Sequence, residues 1–148
     1  MGIIGSKIGI IMAIIIFIAS IQISNDGVAV KTAKGVKAIK LPDSTEYVEM
    51  FSEAGKLTGC GNGMQYLGGI LIKSELSLED LQSYYSDYAQ NEWECIVERQ
   101  TDKNIRVVEH GTVSLNTDIN SENFYIVYSW GENNSIYSTF STLDIRGH

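Results

Sequence analysis

MQYLGGILIK, residues 64–73, is a short apolar run rich in isoleucine and leucine, bounded by turn-forming residues, and it reads as a buried strand. Its paired glycines, Gly68 and Gly69, leave room for another element to pack closely against the strand. A helix start follows at once. Ser77 with Asp80 three residues on resembles a capping box, and Glu79 and Asp80 suit the positive end of a helix dipole. A helix from Leu78 to Gln90 aligns Leu78, Leu81, Tyr85 and Tyr88 on one face, which should lie on a sheet.

Further along the chain, WECIVERQ (93–100) alternates Trp93, Cys95 and Val97 against Glu94, Ile96 and Glu98, the pattern of a half-buried strand. IRVVEHGTVSL (105–115) predicts one bent strand or two short ones, interrupted at Gly111. FYIVYSW (124–130) is the strongest strand signal, with Phe124, Ile126, Tyr128 and Trp130 on one face and Tyr125 and Val127 on the other. SIYSTFSTLDI (135–145) alternates weakly and suggests a closing edge strand. Upstream, STEYVEMFS (44–52) fits neither period cleanly, and AGKLTGCGNG (54–63) is a loop with four glycines. The order of strand, helix and consecutive strands predicts an α+β fold, a mostly antiparallel sheet with one helix packed on one face.

The N-terminal hydrophobic membrane segment defines the rest of the organisation. IGIIMAIIIFIASIQISN (8–25) holds 18 residues without a charge, most apolar up to Ala19, and as a helix would span about 27 Å. Residues 1–24 are therefore expected to be a signal peptide or transmembrane anchor, with residues 3–24 in the membrane. Residues 25–42 read as a polar, Lys-rich linker, and residues 43–148 as a single domain large enough to bury its own core. Cleavage sites after Ala19 or Ala29 are imperfect, which favours an uncleaved signal-anchor; release after cleavage is the alternative. Lys7 abuts the apolar run, whereas the downstream lysines begin further away, favouring an extracytoplasmic body over a cytoplasmic-facing one. VKTAKGVKAIK (30–40) places Lys31, Lys34, Lys37 and Lys40 at every third position, a solvated linker or a contact with anionic lipid headgroups.

Two lipidation patterns fail on context. MGIIGS matches a myristoylation pattern at Gly2, but the hydrophobic run that follows commits the chain to the membrane without an acyl group. LTGC (57–60) spells a lipobox, yet the 14 residues before Cys60 include five acids and cannot form a signal-peptide core.

Charge is asymmetric. Residues 1–40 carry five lysines and Asp26, whereas residues 41–148 carry 17 acidic and six basic side chains, a net charge near −11. Such a body repels phosphate backbones, so no nucleic-acid role is expected, and it attracts a cationic protein partner.

The chemistry-bearing residues are sparse. Cys60 and Cys95 are the two cysteines, and a disulfide between them would close a loop of 36 residues, worth about 3–4 kcal/mol on the loop-entropy model. His110 is the internal histidine, and no sequence spacing ties it to either cysteine, which leaves a Cys-dependent enzyme poorly supported. GCGNG (59–63) lacks the spacing of a phosphate loop, and zinc-ligand spacings are absent, so neither cofactor nor metal is expected. The aromatic content supplies a candidate binding surface at Tyr84, placed outward beside buried Tyr85, with the solvated carboxylates Glu94 and Glu98. The function expected from these features is a bacterial, membrane-tethered or secreted, non-enzymatic binding or accessory module. An acidic immunity-type inhibitor of a cationic toxin is the alternative.

Overall fold

The computed structural model describes residues 2–87, 94–134 and 138–148, with side chains from Lys7 onward. Helix α1 (Gly2–Ala38) leads into β1 (Thr45–Gly55), β2 (Gln65–Ser74), helix α2 (Leu78–Ser86), β3 (Ile96–Arg99) and β4 (Phe124–Gly131), followed by 3₁₀ turns at Ser138–Leu143 and Ile145–Gly147. The four strands form one antiparallel sheet in the order β1-β2-β4-β3. The fold is α+β, as the sequence predicts.

The two faces of the sheet are covered by different means. On one face Ile70, Ile72, Val97, Tyr125 and Val127 pack with Val36 of α1 and with Leu81 and Tyr85 of α2. The other face presents Phe51, Leu67, Leu71, Phe124, Ile126 and Tyr128, which are closed over by Ile105, Val113 and Leu115 from the irregular stretch between β3 and β4. Burial on both sides explains why β2 and β4 read as near-continuous apolar runs. The faces of β4 divide as its alternation predicts, and the Ser77 cap of α2 forms: Asp80 N–H donates to Ser77 Oγ at 3.1 Å.

Three expectations are corrected. Residues 25–42 are not a linker, because α1 runs unbroken through Ala38 and buries Asn25, Ala29, Thr32, Ala33 and Val36 against the sheet. Their spacing of three and four residues is that of one helix face. The stretch 105–115 is not a strand; it holds a single isolated bridge, Asn104 with Ser114, flanked by Ile105 N–H donating to Val113 O and Leu115 N–H donating to Lys103 O. Its apolar residues are there to close the core rather than to extend a ladder. The C-terminal edge strand is also absent over residues 138–145, which form 3₁₀ turns; residues 135–137 of that expected strand lie outside the described residues, as do Tyr88, Gln90 and Trp93.

Helix α1 reaches the sheet at its glycines. A Cβ added to Gly68 would lie 2.7 Å from Ala29 O and 2.8 Å from Thr32 Cβ, and closer still to Ala33 N. One added to Gly131 would collide with the Thr32 hydroxyl. Helix backbone therefore lies directly on strand backbone, an approach that only glycine permits. Gly68→Ala should destabilise the protein by about 3 kcal/mol, since the atoms it meets are main chain and cannot swing aside. Gly61→Ala, at a position open to solvent, should change stability by less than about 0.5 kcal/mol. Urea unfolding of the full chain in detergent micelles checks the pair.

Candidate membrane anchor and its junction with the body

The 37 residues of α1 make a helix about 55 Å long, and its two halves live in different surroundings. From Ile21 onward one face is buried in the body; before it, apolar side chains stand bare all round the helix, with Ile10, Ile14, Ile15 and Ile16 each more than half exposed. A helix that is apolar on every side needs an apolar surrounding on every side. The segment is long and apolar enough to cross a membrane.

Where the bare half gives way to the packed half, a polar cluster ties the C-terminus to the helix. Asn25, fully buried, donates through Nδ2 to Asp144 Oδ2 at 3.0 Å and accepts at Oδ1 from the Tyr66 hydroxyl at 3.1 Å. Asn133 Nδ2 also donates to Asn25 Oδ1, at 3.3 Å. Arg146 forks onto Asp144, with Nε to Oδ1 at 3.0 Å and Nη2 to Oδ2 at 2.7 Å, and its Nη1 reaches Asp26 Oδ1 at 2.7 Å. The bidentate geometry orients the guanidinium as a clamp between helix and tail. Beside it, Phe140 meets Phe17 edge to face, ring centroids 5.6 Å apart. Burial alone would raise the Asp144 carboxyl, but hydrogen bonds from Arg146 and Asn25 outweigh it and bring the group down to about 2. Hydrogen bonding to Asp144 raises Arg146 against the opposing effect of burial, keeping it cationic.

The residues singled out from sequence fall elsewhere. Cys60 is exposed in the β1–β2 connection and Cys95 is half-buried just before β3, and both are free thiols. The expected disulfide does not form, because β1 and β3 are opposite edges of the sheet with β2 and β4 between them. Burial raises the Cys95 thiol above its ordinary value. His110, unlinked to either cysteine by spacing, comes to the Cys60 loop: its Nε2 lies 2.7 Å from Gly59 O, and Glu109 accepts from Gly59 N–H at 2.8 Å. Tyr84 is half-buried, donating its hydroxyl to Lys40 O at 2.8 Å, so it fastens the exit of α1 to α2. Glu94 and Glu98 are exposed, and Glu98 accepts from the Tyr128 hydroxyl at 2.7 Å. Lys31, Lys34 and Lys37 lie on the solvent side of α1, with Lys37 Nζ 4.1 Å above the Tyr47 ring, and Lys40 is exposed past its end.

An open cleft of about 350 Å³ runs along edge strand β1, between Glu49–Glu53 and Thr112–Asn116. Glu49 spans one end, accepting from Asn116 N–H and Thr117 N–H at 3.1 Å each. Burial works against ionisation of this carboxyl, but these bonds prevail and lower it. Among the described residues, no group of three or more His, Cys, Asp or Glu side chains is placed to hold a metal ion.

The junction residues Asn25, Asp26, Asp144 and Arg146 escaped sequence reasoning. The available signal was Asp26, the single acid among the first 40 residues, standing where the uncharged run ends. Compared with protein-family models, curated proteins and solved structures, the chain has no match in any of the three.

The depressed Asp144 carboxyl has a pH signature. A group ionising more readily in the folded than in the unfolded chain stabilises the fold above its unfolded value and loses that effect as pH falls towards its folded value. Asp144→Asn should cost about 2 kcal/mol at neutral pH, and the gap to the unmodified chain should close between about pH 4 and pH 2. Urea midpoints of both proteins across that range give the comparison.

Proposed function

We propose that this protein is a membrane-tethered, non-enzymatic binding or accessory module whose body stands on a rigid stalk. The observation that carries this reading is the continuity of α1: one helix supplies both the bare apolar half and a structural face of the body. A tether of this kind fixes the height and orientation of the domain, which a flexible linker would not.

The body is proposed to face away from the cytoplasm. Lys7 abuts the apolar run, while Lys31, Lys34 and Lys37 are built into the folded body, about 18–27 Å beyond Ala19 along the helix. For a helix standing upright in the bilayer that distance exceeds the screening length of about 8 Å at physiological salt. These lysines then serve as the solvated face of the stalk rather than as headgroup contacts.

A cationic protein is the partner class favoured by the acidic body. The cleft beside β1 supplies a place for it, since Glu53 lines that cleft and two smaller ones adjoining it.

Ile11→Asp combined with Ile15→Asp tests the anchor. Each acid at the centre of a spanning helix costs about 2.5–3.5 kcal/mol on insertion scales, so the double variant should move from the membrane fraction to the soluble one. Both side chains are exposed and remote from the body's core, so the melting temperature should not change. A double variant that still sediments with membranes would contradict the anchor.

A further inference from the structure

The C-terminal turns expose apolar side chains that the body does not use. Phe140 is 43 % exposed, Leu143 51 % and Ile145 75 %, within a short segment packed against α1. Their height along the helix is fixed by contacts. Phe140 meets the ring of Phe17, two residues before the apolar run ends at Ala19. Asp144 is bonded to Asn25, and Arg146 donates to Gln22 O and Asp26, so Ile145 sits about one to two turns beyond Ala19. The three side chains descend from the level of the junction to the level of the apolar run, next to Ile23, which is itself 71 % exposed.

We propose that this C-terminal segment is a second lipid contact, in which Phe140, Leu143 and Ile145 sink into the interface of the bilayer that holds α1. The proposal rests on the anchor reading and adds a consequence of rigidity. Because Phe140 is level with Phe17, a bilayer that takes the helix up to Ala19 also takes the Phe140 ring. An aromatic ring and two aliphatic side chains suit the boundary between acyl chains and headgroups. The Asp26–Arg146–Asp144 cluster directly above keeps its charges at headgroup height. The body thus grips the membrane at two points, which sets its rotation about the helix axis as well as its height.

The occupant of this patch is lipid rather than a second copy of the chain, because the patch is continuous with the apolar half of α1 and shares its level. The test uses the full chain with Cys60→Ser and Cys95→Ser, carrying one cysteine labelled with an environment-sensitive fluorophore. The labelled variants are Ile14→Cys, Phe140→Cys, Ile145→Cys and Lys34→Cys. Each is reconstituted in vesicles of phosphatidylcholine and phosphatidylglycerol, with and without lipid spin-labelled near the headgroup.

Labels at 140 and 145 should shift to the blue and be quenched by the spin-labelled lipid. The label at 14 should be shifted to the blue, and the label at 34 should remain in water and unquenched. If 14 is inserted while 140 and 145 stay unquenched, the second contact is overturned and the anchor survives. A blue shift at 140 and 145 without lipid quenching means that protein covers the patch, which also overturns the proposal. If 14 itself is not inserted, both readings fail. Ile145→Cys guards against loss of the Phe17–Phe140 contact, since Ile145 is the most exposed of the three.

Discussion

The direct seating of helix α1 on Gly68 and Gly131 governs the rest of this structure. Small residues on both surfaces, Ala29, Thr32 and Ala33 against the two glycines, bring main chain against main chain and hold the back half of the helix on β2 and β4. Close packing of this kind is unforgiving, since added volume has nowhere to go. It turns a helix with a bare apolar front into a handle for the whole body, so whatever fixes the front half also positions the sheet.

The polar cluster at Asn25 completes that handle. Asp144 and Arg146 lie at the far end of the chain from Asn25 and Asp26, and their bonds close the tail over the helix just where its bare half ends. Buried charge of this sort stabilises only when every partner is in place. The Arg146 fork, the Asn25 amide and the Arg146 backbone N–H, which donates to Asp144 Oδ1 at 3.1 Å, satisfy the carboxylate. Apolar seating and polar clamp act on neighbouring turns of the same helix and resist bending between its halves.

Much of the fold was legible because its core strands and α2 carry strong, local signals. The alternation of Phe124 to Trp130, the apolar run around Ile70 and the Ser77 cap each report a single element without help from the rest of the chain. The back half of α1 was not legible for the reason that makes it effective: Ala29, Thr32 and Ala33 are too small and too weakly apolar to mark a buried face, and the lysines between them resemble a solvated linker. In residues 105–115 the apolar pattern was real but reported burial rather than strand pairing. The candidate site was harder still. Asn25, Asp26, Asp144 and Arg146 are far apart in sequence, and neither composition nor spacing brings them together. Tyr84 was found, but its hydroxyl is committed to Lys40 O, and Cys60 and Cys95 stand on opposite sides of the sheet.

The central claim is that α1 is one rigid helix from its apolar half into the body, and a distance across the junction tests it most directly. Spin labels at Ile16→Cys and Lys34→Cys, in a Cys60→Ser, Cys95→Ser background reconstituted in lipid nanodiscs, are separated by 18 residues and five full turns. The account predicts a single narrow distribution near 27 Å, the rise of an unbroken helix. A broad distribution, as from a flexible segment between anchor and domain, would contradict it.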